Sequence, residues 1–146
     1  MVRIYPIIAN QLYVSARTEA MTSKEKIETV HNCGITAVVN LWHTPDEEMK
    51  KLCLVYSHHP LTDGRRINED YVSAAVDQVF NYLLRRHTVL VHCYGGRNRA
   101  GLICCLALRR WLRISGSDAV ELFITARPNS LVNKHFKSYL QRLPKP

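Results

Sequence analysis

Short apolar runs and longer periodic stretches take turns along this chain, and each kind predicts an element. Ile35–Leu41 and Val89–Val91 are mostly apolar and rich in β-branched residues, as expected of buried strands. Leu12–Val14 and Cys53–Tyr56 read as two further short strands, and the residues from Ile4 up to Leu12 read as irregular. The longest helix is predicted over Asn68–Arg86. There Tyr71, Ala75, Val79 and Leu83 recur every four residues beside Val72, Val76, Phe80 and Leu84, a wide apolar face suited to a sheet. Ser23–His31 predicts a shorter helix with Ile27 and Val30 as its apolar residues and Asn32-Cys33-Gly34 as its stop. A polar helix is expected over Pro45–Lys51, opened by its Pro. His58–Arg66 reads as a loop from its Pro, its Asp-Gly pair and its charge. The apolar segment Leu102–Leu112 predicts a helix ending near Ser115-Gly116. Ser117 is the expected cap of the next helix and Ser130 of the last one, with stops at Arg127-Pro128 and Pro144.

Strands separated by helices predict the α/β class. The expected architecture is one domain over residues 1–146, a sandwich whose central, mostly parallel sheet is flanked by helices. In such sheets ligands bind beyond the carboxyl ends of the strands. The chain shows no repeat, linker or low-complexity stretch, and 146 residues suffice for one core.

Composition narrows the classes. No apolar run approaches a membrane span, and Met1–Ala16 lacks the continuous core of a signal peptide, so a cytoplasmic protein without an integral membrane segment is expected. Five Cys, an odd number without a framework, argue against a disulfide scaffold. His58-His59 and His92-Cys93 match no usual zinc spacing; neither metal nor cofactor is expected. The net charge of +8 is lopsided: residues 1–73 carry 8 Lys/Arg against 9 Asp/Glu, residues 74–146 carry 12 against 3. A basic half attracts polyanions such as phosphorylated acidic peptide, phosphoinositide or RNA.

The candidate chemistry lies in that half. The strand Val89–Val91 runs through His92 to Cys93, then Tyr94-Gly95-Gly96-Arg97-Asn98-Arg99-Ala100-Gly101, then the helix. Strand, Gly-bearing loop and helix start form a backbone cradle for an anion, with amides converging at the helix N-terminus. Tyr94, Gly95, Gly96, Arg97, Asn98 and Arg99 would line it. A thiol near a helix N-terminus and a guanidinium is favoured as the thiolate, and Arg99 can fork onto two oxygens of a bound oxyanion. Thiolate, cradle and Arg point to phosphoryl transfer through a phosphocysteine. Such a reaction needs a carboxyl to protonate the leaving oxygen and later to deprotonate water. Asp63, in the Pro- and Gly-bearing loop, is the candidate; Asp70 and Asp46 read as exposed helix-end residues and are weaker choices.

His92-Cys93-x5-Arg99 resembles the signature of the cysteine-dependent protein tyrosine phosphatase superfamily, and the chain size resembles its small dual-specificity branch. Looser matches extend over nearly the whole chain: Leu-Tyr-Val-Ser at Leu12–Ser15 and Gly-Ile-Thr-Ala-Val-Val-Asn-Leu at Gly34–Leu41. The resemblance implies a phosphatase of phosphotyrosine, phosphoserine or phosphothreonine proteins, with Cys93 as nucleophile, Arg99 as phosphate ligand and Asp63 as general acid. It implies that Asn40 braces the Cys loop. His92 either helps stabilise the thiolate through backbone hydrogen bonds or is a packed histidine.

Some residues bear on substrate. Arg97 adds a second cation, similar to phosphoinositide phosphatases of the superfamily. Asn98 before the Arg is similar to the RNA 5′-triphosphatase branch. No segment resembles the aromatic recognition element of tyrosine-only phosphatases, which implies a shallower pocket. Ala100 departs from the family, where a Ser or Thr hydroxyl commonly faces the leaving sulfur; an alternative of another class is therefore a phosphate-binding module with little turnover. Cys53 resembles, in its place before the acid loop, a Cys that pairs with the nucleophile after oxidation in some phosphoinositide phosphatases.

Overall fold

The computed structural model describes residues 2–146. Five strands form one sheet: β1 (Ile4–Ile8), β2 (Leu12–Ser15), β3 (Ala37–Asn40), β4 (Val55–His58) and β5 (Val89–His92), in the order β1-β2-β5-β3-β4. β1 pairs antiparallel with β2, and the other pairings are parallel. Six α-helices join them: α1 (Ser23–Cys33), α2 (Glu47–Leu52), α3 (Glu69–Leu84), α4 (Arg99–Leu112), α5 (Gly116–Ala126) and α6 (Lys134–Gln141), with a 3-10 turn at Thr18–Ala20. The expected α/β sandwich with a mostly parallel sheet is the observed one.

β2, β3 and β5 are buried along their whole length. One face of the sheet (Leu12, Val14, Val39, Val91) packs with α3, α4, α5 and α6 in the main core, and the other (Tyr13, Val38, Leu90) packs with Ile35 and Met49 in a smaller one. This is why the buried strands read as continuous apolar runs rather than alternating ones.

The stretch read as irregular contains the edge strand β1. Pro6 interrupts its pattern and the register shifts between Pro6 and Ile8; both are tolerated at an edge. α5 is capped by Ser115, whose side chain accepts from Asp118 N, and not by Ser117. α6 is capped by Asn133, not by Ser130, which is buried and donates to the carbonyl of Arg127. The helix faces are narrower than their patterns. Tyr71 and Leu84 of α3 point to solvent, as does Ile27 of α1, where Lys26 is buried instead.

The parallel register puts Ser15, His92, Asn40 and His58 in one row across the sheet, at the carboxyl ends of β2, β5, β3 and β4. The four segments that follow emerge side by side. They are stitched by backbone bonds from Arg17 N to Tyr94 O (3.0 Å), Leu41 N to His92 O (2.7 Å), His59 N to Asn40 O (2.8 Å) and Leu61 N to Leu41 O (3.0 Å).

Candidate active site

The loop from Cys93 to Asn98 fills the gap between β5 and α4. Gly96 sits at φ +69°, and a Cβ there would stand 2.5 Å from the carbonyl oxygen of Ser15, so only glycine fits this turn. The turn aims the Gly96 amide back at the Cys93 Sγ, at 3.3 Å. Cys93 is buried, with 2% of its surface exposed. Asn98 occupies the N-cap of α4 but its side chain makes no capping bond. The first-turn amides of α4 therefore keep their capacity to bind an anion.

Arg99 opens α4. Its Nη1 donates to the Leu61 carbonyl at 3.3 Å, and its guanidinium lies over the Trp42 ring, 5.1 Å from the centroid. Its Nε–H is buried without an acceptor among the described residues. Such a donor costs free energy unless an oxygen takes its hydrogen.

Asp63 is exposed and stands against the Cys loop. Its Oδ2 accepts from Asn98 Nδ2 at 2.9 Å and its Oδ1 from Asn133 Nδ2 at 2.7 Å. Cys93, Arg99 and Asp63, the three candidates of the sequence, thus meet at one edge of the sheet. Asp70 lies in the first turn of α3. Asp46 is buried rather than exposed: it caps α2, pairs with Lys26 Nζ at 3.0 Å and accepts from Thr18 Oγ1 at 2.7 Å. Burial opposes its charge, yet the Thr18 hydroxyl, the Met49 amide and Lys26 hold its carboxyl below the usual range.

Thr18 links this carboxylate to His92, whose Nε2 lies 3.4 Å from Thr18 Oγ1. The single Thr18 hydroxyl hydrogen goes to Asp46, so Thr18 can only accept from His92. The Nδ1 of the same ring is buried and meets no hydrogen-bond partner among the described residues. Burial drives the His92 pKa down to about 4, against the backbone of Cys93 and the charge of Asp46, so the ring is neutral at pH 7.

Asn40 does not brace the Cys loop with its side chain. Its Oδ1 accepts from Trp42 N, and its Nδ2 donates to Thr44 O and Tyr56 OH; it holds the loop after β3. Arg97 is exposed and its Nε donates to the Asn129 carbonyl at 2.6 Å, so the second cation stands at the rim. Tyr94 is half exposed and its ring packs 4.9 Å from that of Trp42, with Arg17 over its face. Trp42, His43 and Tyr94 therefore wall one side of the site, an aromatic element the sequence reading missed. Its signal was position: Trp42 follows a buried strand at the edge where ligands bind. Ala100 is fully buried in the first turn of α4.

Cys53 and Cys93 lie at opposite ends of the parallel strands. Val55 is level with Val89 through Ala37, four residues below Cys93, a separation of roughly 13 Å that Cys53 only lengthens. A disulfide needs Cα atoms within about 7 Å, and burial pushes the Cys53 thiol up to about 11. The expected redox pairing is not built into this fold. Among the described residues no group of three or more His, Cys, Asp or Glu comes together to hold a metal, and no helix is long and apolar enough to cross a membrane.

The thiol lies under the Gly96 amide in a strand–loop–helix cradle, Arg99 opens the helix that follows, and the Asp63 carboxyl is held against the same loop by Asn98. The chain belongs to the family described as dual specificity phosphatase, catalytic domain, whose model matches residues 12–145. It is thus a cysteine-dependent phosphatase of the protein tyrosine and dual-specificity group. Three solved structures are similar. Tk-PTP in its active form has a TM-score of 0.78 and 19% identity, covering 94% of this chain and 95% of its own. Human DUSP28 has 0.77 and 19%, covering 94% and 90%. The PTP-2 phosphatase of Cydia pomonella has 0.77 and 19%, covering 97% and 89%. At these identities the likeness is one of fold. No protein of curated function matches the chain in sequence.

Proposed function

We propose that this chain hydrolyses phosphomonoesters of phosphotyrosine, phosphoserine or phosphothreonine proteins through a phosphocysteine intermediate, in a reducing compartment. The observation that carries the reading is that the loop with the Cys93 thiol, under the Gly96 amide, leads into Arg99, whose buried Nε–H meets no acceptor among the described residues. In the first half of the reaction Cys93 Sγ bonds to phosphorus, the phosphorus–oxygen bond to the leaving group breaks, and Asp63 gives that oxygen its proton. Arg99 and the loop amides hold the charge spread over the equatorial oxygens. In the second half water attacks phosphorus, Asp63 takes its proton, and sulfur leaves as thiolate.

The aromatic wall of Trp42 and Tyr94 suits a flat phosphotyrosine ring, and the basic second half of the chain suits an acidic peptide. The test is one assay panel: phosphotyrosine and phosphothreonine peptides, triphosphate-ended RNA and phosphoinositides, each with the wild type and Cys93→Ser. Phosphate release from the peptides, abolished in the variant, is the expected result, with acid quench trapping a phosphorylated Cys93. Turnover confined to RNA or to phosphoinositide would move the assignment to that substrate. Binding without turnover of any substrate would make the chain a phosphate-reading module.

A further inference from the structure

Asn98 and Asn133 lie 35 residues apart, and each is 35 residues or more from Asp63, yet all three side chains converge. Asn98 Nδ2 donates to Asp63 Oδ2 at 2.9 Å, and Asn133 Nδ2 donates to Asp63 Oδ1 at 2.7 Å and to the Gly64 carbonyl at 2.9 Å. Asn98 Oδ1 accepts from the Asn133 amide at 3.0 Å, and Asn133 Oδ1 caps α6 by accepting from His135 N and Phe136 N. All four polar atoms of the two amide side chains are engaged. Two of the bonds end on the same carboxyl group, one on each oxygen.

We propose that Asn98 and Asn133 are positioning residues that latch the loop around Asp63 onto the Cys loop and fix the direction of its carboxyl group. The proposal rests on Asp63 acting as the general acid. Each carboxyl oxygen accepts one amide hydrogen and keeps a further lone-pair site. Either can therefore carry the transferable proton toward a leaving oxygen while the amides hold the group still. The inner end of the same loop is fastened separately, by Leu61 N to Leu41 O and by Arg99 Nη1 to Leu61 O. The latch therefore governs Asp63 and its neighbours without being needed to seat Arg99. It also explains why Asn98 leaves α4 uncapped: its Oδ1, the atom that could cap, accepts from the Asn133 backbone N–H while its Nδ2 reaches the acid loop, which accounts for an Asn before the Arg without reference to RNA.

The experiment compares aryl phosphates of good and poor leaving groups in wild type, Asp63→Asn, Asn98→Ala, Asn133→Ser and the two doubles with Asp63→Asn. Ser keeps an N-cap oxygen for α6 but lacks the amide donor, so a purely capping role predicts that Asn133→Ser behaves as wild type. The latch predicts that both Asn variants slow the poor leaving group roughly tenfold or more. The loss on the poor leaving group should exceed any loss on the good one, and that excess should vanish in the Asp63→Asn background. Hydrogen exchange supplies a readout independent of turnover: amides of residues 62–67 should exchange faster in both variants while those of α4 do not. Equal losses across leaving groups, or losses that persist in full beside Asp63→Asn, would overturn the positioning role. Unchanged exchange would overturn the latch whatever the activity. A wild type without Cys93-dependent turnover would instead overturn the phosphatase reading and leave the exchange result to decide the latch.

Discussion

The Cys93 sulfur accepts one backbone amide, that of Gly96, and the buried methyl of Ala100 offers it no hydrogen bond. Nothing in the attack on phosphorus needs a hydroxyl at position 100, but expulsion of sulfur does gain from a second donor. A hydrogen bond to a charged group contributes about 1.5–3 kcal/mol, roughly tenfold or more in rate if fully expressed in the transition state. Phosphocysteine breakdown should therefore be slow, and rapid-quench kinetics should show a burst of leaving group. Ala100→Ser should shrink the burst and raise steady-state turnover up to about tenfold; no burst in the wild type and no gain in the variant would mean that the Gly96 amide suffices. Gly96→Ala tests that amide from the other side. The left-handed backbone alone costs about 1–2 kcal/mol, and the new Cβ meets the Ser15 carbonyl. Turnover should fall at least about tenfold and Tm by about 4 °C or more, whereas an unaltered burst amplitude would show that the loop re-forms around Ala. At this scale the sequence brings candidate residues forward where they are contiguous. Cys93, Gly96 and Arg99 lie in one continuous stretch of loop and helix start, and Asp63 is marked by its own turn. Thr18, Asp46 and Asn133 were opaque because what they do depends on partners 20 to 74 residues away.

Helix ends show the same division between local and long-range information. Around Ser115-Gly116-Ser117 and Asn129-Ser130 several residues could cap, and local preference does not choose among them. Packing chooses: Gly116 N donates to Leu143 O at 2.9 Å, which fixes the start of α5 against the end of α6. A Cβ at Gly116 would come within 1.8 Å of the Leu140 carbonyl oxygen, so the backbones must part for any side chain. Gly116→Ala should destabilise the fold by about 2–3 kcal/mol, in the range of other overpacking changes, read as a lower midpoint in urea unfolding. An unchanged midpoint would show that the α5–α6 contact gives way without cost. The acidic start of α2 was misread for a related reason. Asp-Glu-Glu looks like a solvated first turn, but α1 presents Lys26 to it, and a buried ion pair forms with Glu48 on its outer side. Removing one partner of a buried pair costs about 3–5 kcal/mol. Asp46→Asn keeps an acceptor for the Met49 amide and leaves Glu48 on Lys26, so about 2–3 kcal/mol is expected by urea titration. A loss below about 0.5 kcal/mol would show that Glu48 alone satisfies Lys26.

For the molecule as a whole, the row of strand ends that gathers the site also fixes its response to pH, because it buries His92 on the central strand of the sheet. Burial drives that imidazole down to about 4, whereas an unfolded histidine titrates near 6.5. As pH falls through 6.5 the unfolded chain takes up a proton that the folded chain refuses until about pH 4. Stability is therefore full above about 6.5 and is lost as pH falls toward 4, by at most about 1.4 kcal/mol per pH unit and about 3 kcal/mol in all. His59, lowered by burial and by its neighbour His58, acts with the same sign. Asp46, held below the ordinary carboxylate range, keeps its contribution above about pH 3.9 and loses it only below this window. Lys26, which burial opposes but Glu48 and Asp46 raise, contributes below about 10.4 and loses its share only as pH climbs past its folded value. Unfolding free energies measured between pH 7.5 and 4.5 should fall by about 2–3 kcal/mol. In His92→Asn, which lowers the plateau but removes the buried imidazole, most of that fall should vanish and only the share of His59 should remain. A wild-type slope that survives intact in His92→Asn would transfer the effect to other histidines, and the buried ring would then have no part in the acid response of this fold.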